Sequence, residues 1–86
     1  MSAAHVTTTA YWMHLPQNLE QQVHERWLLR HATQSIASVS LDSSGDWWIT
    51  MLQPDGGCRV LPMRAATLVE AKIEAQCALR ALGWNI

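Results

Sequence analysis

Charge is scarce in this sequence. Lys, Arg, Asp and Glu together make up 15% of its 86 residues, against about 25% in ordinary soluble domains, so much of the surface has to be weakly polar or apolar. Such a surface points to a partner. Neither sign dominates: six Lys and Arg against seven Asp and Glu leave a net charge of −1, which excludes the broad positive field that gathers a polyanion and argues against nucleic acid. Cysteine is almost as sparse. Cys58 and Cys77 form neither a short metal-ligand spacing nor the dense disulfide framework of a small secreted domain, and are expected as buried small hydrophobes in a reducing cytoplasm. No apolar run approaches the roughly 20 residues of a membrane span, and "MSAAHVTTTAYWMH" has no basic region followed by a long apolar one. The expectation is one small cytoplasmic domain over residues 1–86, with no membrane partner.

What is present falls into a short series of elements. "VTTTAYWM", residues 6–13, is rich in β-branched and aromatic residues and suits a strand, so that residues 1–13 are expected as either an extra strand or an N-terminal arm. Leu15, Leu19, Val23 and Trp27 then recur every four residues, with Leu28 and Ala32 widening the stripe, which predicts a helix over 15–32 with Pro16 in its first turn. Asn18 with Gln21 three residues later offers an alternative start. "IASVSLD" alternates cleanly and predicts a half-buried strand.

Two turns set the register of the strands beyond it. "SSG", residues 43–45, suits a three-residue hairpin loop with a left-handed Gly45 and places Leu41 opposite Trp47. Trp47, Ile49 and Met51 then share the core face with Ala37, Val39 and Leu41, and Trp48, Thr50 and Leu52 take the other face. "PDGG", residues 54–57, closes a second hairpin, and pairing Gln53 with Cys58 adds Arg59, Leu61 and Met63 to the Trp48 face. Last, "TLVEAKIEAQCALRALG" predicts a helix with Thr67 as N-cap, Glu70 completing a capping box and Gly83 ending it. It carries two apolar stripes: Leu68, Ala71, Ala75, Ala78, Leu79 and Leu82 on one side, and Val69, Ile73 and Cys77 on another. The expected fold is α+β, a three- to four-stranded antiparallel sheet with two helices on one face, in the order (β)-α-β-β-β-α.

Catalytic constellations are missing. His5, His14, His24 and His31 are not spaced to share a turn of helix, so no metal site is expected. The cysteines fall on predicted apolar faces without a histidine partner. "PDGG" lacks the Gly-Lys-Ser/Thr sequence of a phosphate loop, and Asp42, Asp46 and Asp55 sit at turns without the spacing of a calcium loop. No catalytic residue, metal or cofactor is assigned, and an enzyme is not expected.

Two resemblances attach to these features. From about Leu15 to Leu82 the expected order of elements resembles the double-stranded-RNA-binding domain, whose last helix begins with a basic phosphate-gripping cluster. Here that place reads "RAATLVEAK" and offers only Arg64 and Lys72; as a nucleic-acid module the chain would need Arg64, Lys72, Arg59 and Arg80 on one surface. Separately, "GDWWITMLQPDGG" followed by "ATLVEAKIEAQCALRAL" resembles small phage and prophage proteins of the anti-CRISPR or host-inhibitor type. That resemblance implies a compact protein without chemistry of its own, acting on a larger host complex such as a CRISPR-Cas effector. Trp, Met and Arg are enriched at interfaces, so the expected partner-binding residues are Trp48, Leu52, Arg59, Leu61 and Met63. A homodimer is a second expected association.

Overall fold

The computed structural model describes residues 10–17, 20 and 23–86. Five strands, β1 (Tyr11–Leu15), β2 (Val23–His31), β3 (Gln34–Asp42), β4 (Trp47–Leu52) and β5 (Cys58–Pro62), precede one helix, α1 (Leu68–Leu82). The strands form a single sheet in sequence order, every neighbouring pair antiparallel. The helix lies across β3 and β4 on one face.

This corrects the expected fold. Residues 23–31 are a strand, so the described chain has five strands and one helix, where (β)-α-β-β-β-α required three or four strands and two helices. A repeat of four residues is even, so it satisfies strand alternation as well as the helical period. Long-range pairing decides between them, because β2 is laddered on both sides, to β1 and to β3. Asn18, Leu19 and Gln21, parts of the expected helix, lie outside the described residues, as does the part of the N-terminal strand before residue 10. Tyr11, Trp12 and Met13 do enter a strand, β1.

The β2–β3 hairpin turns at Ala32 and Thr33, and Ala32 has φ 58°. No Gly, Asn or Asp marks this turn. Arg30 braces it by donating from Nη1 to Ser35 Oγ at 2.9 Å and from Nη2 to the Thr33 carbonyl at 3.0 Å. The strands leave this turn out of step by one residue: Leu29 faces Ala37 while Arg30 faces Ser35, so Ile36 is the extra residue of a β-bulge. Ile36 is fully buried all the same, because a bulged residue and its neighbour turn to the same side.

The core lies between the sheet and α1. Leu29, Ile36, Ala37, Val39, Trp47, Ile49 and Met51 supply the sheet side, and Ala71, Ala75 and Leu79 the helix side. Ala71 and Ala75, completely buried, let the helix axis approach the strands. Both ends of α1 match the sequence expectation: the Glu70 N–H donates to Thr67 Oγ1 at 3.2 Å, and Gly83 adopts φ 112° as the left-handed cap. The Glu70 carboxylate reaches back to the N–H of Ala66 at 3.3 Å, one residue before the position a capping box would use. Trp84 folds back and donates from Nε1 to the Leu52 carbonyl at 2.7 Å, tying the tail to the end of β4.

Candidate functional site: the helix-free face of the sheet

Register sorts every strand residue onto one of two faces. The helix-bearing face carries Trp12, Trp27, Leu29, Val39, Ile49 and their neighbours. Among the described residues, no helix lies over the opposite face. Its central row runs Met13, Leu28, Ser38, Thr50, Val60, and the next runs Leu15, Arg26, Ser40, Trp48, Pro62. A shallow depression lined by Leu28, Ser38, Thr50, Leu52 and Cys58 lies on this face.

Trp47 and Trp48 take opposite sides as expected. Trp47 is 4% exposed in the core and Trp48 is 37% exposed on the open face. The Trp48 ring does not swing freely, because its Nε1 donates to Asp42 Oδ2 at 2.9 Å. The other oxygen of that carboxylate accepts from the backbone N–H groups of Ser44 at 2.8 Å and Asp46 at 3.0 Å, so one side chain fixes both the turn and the ring. The Trp48 hydrogen bond, with help from the Asp46 and Ser44 donors, lowers the Asp42 carboxyl below its ordinary value.

The expected partner-binding set is divided by the fold. Trp48 and Leu52 lie on the open face. Arg59, Leu61 and Met63 do not join them, because Leu52 rather than Gln53 faces Cys58. Arg59 stands opposite Met51 and Leu61 opposite Ile49, on the helix side, and Met63 is half-buried against the core. The shift has a local cause. Gln53 N–H donates to the Gly57 carbonyl at 2.6 Å and Gly56 N–H to the Gln53 carbonyl at 2.9 Å, which makes Pro54–Gly56 a three-residue loop with Gly56 at φ 99°. The first hairpin is built identically, with Asp42 N–H to Asp46, Gly45 N–H to Asp42 and Gly45 at φ 89°. "PDG" is thus the counterpart of "SSG", a three-residue signal that sets the correct register and brings Cys58, Val60 and Pro62 beside Trp48.

Other expectations also change. Cys58 and Cys77 are free and exposed rather than buried, Cys58 through the same register shift and Cys77 because the stripe Val69, Ile73, Cys77 faces away from the sheet, with Val69 and Ile73 among the most exposed apolar side chains. Two histidines make ring contacts: His14 stacks on Trp27 with centroids 4.5 Å apart, and His31 meets Trp84 edge-on at 6.3 Å. Lys72 Nζ lies 3.8 Å from the Trp27 ring centroid and 5.7 Å from that of Trp12. Arg80 Nε donates to the Ile86 carbonyl at 2.9 Å. Two of the four cations an RNA grip would need stand apart, Lys72 over Trp27 on the β1–β2 side of the helix and Arg59 on the edge strand β5.

The described residues form a five-stranded antiparallel meander with one face under a helix and the other open. No family model matches the chain, and neither does any curated protein or solved structure. Among the described residues, no helix is long and apolar enough to cross a membrane.

Proposed function

We propose that this chain is a non-enzymatic protein-interaction module, an inhibitor or adaptor that engages a larger protein complex through the open face of its sheet around Trp48. The observation that carries the reading is the make-up of that face. Tyr11, Met13, Trp48 and Val60 are exposed on it, Arg26 and Arg30 flank them, and its described strand positions include no Lys and no Glu. Protein interfaces are enriched in Trp, Tyr, Met and Arg and depleted in Lys and Glu. The Asp42 hydrogen bond favours the reading further, because an aromatic anchor held in place loses little freedom on binding.

The test compares the two neighbouring tryptophans. Trp48→Ala should remove proteins retained from a host lysate by the native chain while changing unfolding free energy by no more than about 1 kcal/mol. Trp47→Ala, which empties a core site, should cost about 3–5 kcal/mol. Retention of the same proteins by Trp48→Ala as by the native chain would overturn the reading. Retention of RNA that weakens steeply with salt would replace it with a nucleic-acid one.

A further inference from the structure

We propose that β5 is a dimerisation strand, pairing antiparallel with β5 of a second copy of this chain about a two-fold axis at Val60. The backbone groups of β5 alternate in direction. Met63 N–H donates to the Trp47 carbonyl and Gln53 N–H to the Gly57 carbonyl, so the odd-numbered residues of β5 are the ones bonded to β4. The even-numbered residues, Cys58, Val60 and Pro62, turn their backbone groups outward from the sheet. Pro62 sits where its missing N–H breaks no bond to β4, the position a sheet edge allows.

That outward row is self-complementary. With Val60 opposite its own copy, the two Val60 residues exchange a pair of N–H to carbonyl bonds. Each Cys58 N–H meets the carbonyl of the other chain's Pro62, which makes four bonds in all. The donor that proline lacks falls where the ladder ends. On the open face Val60, 61% exposed and the most exposed large apolar side chain of the sheet, would lie against its equivalent at the 4.5–5.5 Å Cβ separation typical of cross-strand pairs. Of the devices that keep edge strands of monomers apart, β5 has no Lys, no acidic side chain and no bulge; its proline falls where the new ladder ends, and Arg59 stands on the helix side opposite Met51.

The helices do not block the approach. The two-fold axis stands perpendicular to the sheet, so both helices lie on one side and both Trp48 faces on the other. With α1 over β3 and β4, four strand spacings of about 4.8 Å separate the helix axes by roughly 19 Å, wider than the 8–10 Å of packed helices. The closed two-fold also limits the assembly to two copies, giving one ten-stranded sheet with a doubled open face. The pairing leaves Trp48 free for the proposed partner binding, since on the open face it covers Val60 at the β5 edge and leaves the strands from β4 to β1 uncovered.

Three variants test it. The native chain should sediment as a dimer in the micromolar range, and Val60→Pro, which deletes only an outward donor, should raise the dimer Kd by roughly thirtyfold with an unchanged circular dichroism spectrum. In a chain with Cys58→Ser and Cys77→Ser, Val60→Cys should cross-link two copies on oxidation, since hydrogen-bonded pairs place Cα atoms about 5.5 Å apart, within disulfide range. Leu61→Cys, which would face Arg59 of the other copy, should not. If Val60→Pro does not fold, the cross-linking pair decides. A native chain that stays monomeric, a dimer indifferent to Val60→Pro, or equal cross-linking at 60 and 61 overturns the proposal. So does a strand of another protein found on β5 of a monomer. Trp48→Ala should leave the dimer intact, which separates this outcome from failure of the binding reading.

Discussion

Asp42 and Trp48 show how one exposed carboxylate organises a surface. The carboxylate takes three donors, two from the turn backbone and one from the indole, and these favour its charged form. Its carboxyl is therefore held below the ordinary aspartate value of 3.8. A group depressed in the folded state contributes fully above its unfolded value and loses that contribution as pH falls through the lower folded one. The Trp48 indole N–H resonance should accordingly move on acidification with a midpoint below pH 3.8. Asp42→Asn, which keeps an acceptor and removes the titration, should abolish that movement. A resonance that shifts with a midpoint at or above 3.8 would mean that the indole does not hold the carboxylate in solution.

At the scale of elements, hairpins differ in how openly they announce themselves. "SSG" and "PDG" end in glycines that adopt φ 89° and 99°, and both turns were legible for that reason, although the second was read one residue too long, as "PDGG", which put β5 out of register. The β2–β3 turn was not legible. "HATQ" puts alanine at φ 58°, a left-handed conformation that costs a non-glycine residue roughly 1–2 kcal/mol, and no local signal betrays it. With that turn hidden, the even spacing of Val23 and Trp27 fitted a helix as well as a strand. The strain has a measurable consequence. Ala32→Gly should raise the unfolding free energy by about 1 kcal/mol in urea denaturation, because the gain in allowed backbone geometry outweighs the added freedom of the unfolded chain. An unchanged or lower midpoint would show that Ala32 is relaxed in solution. The candidate site shows the same division: Trp48 and Leu52 were placed by the first turn, whereas Arg59, Leu61 and Met63 were displaced by one residue in the second, and a one-residue slip moves every side chain of a strand to the other face.

At the scale of the molecule, α1, the one helix among the described residues, cannot cover the five described strands evenly. It lies over β3 and β4, so β1 and the outer part of β2 depend on side chains that reach sideways. Lys72 makes that connection, its ammonium over Trp27 and near Trp12, with His14 stacked on Trp27 and the Trp27 indole N–H donating to Glu25 Oε1 at 3.0 Å. The stem of the lysine packs while its charge meets the rings. Lys72→Ala should therefore lower stability by about 1–2 kcal/mol and raise amide exchange in β1 more than in β3 or β4. Lys72→Met, which restores the stem without the charge, should recover part of the loss, and the remainder measures the cation–π contribution. If alanine at 72 changed exchange equally in all five strands, the lysine would be supporting the core as a whole, and β1 would be held by its ladder to β2 alone.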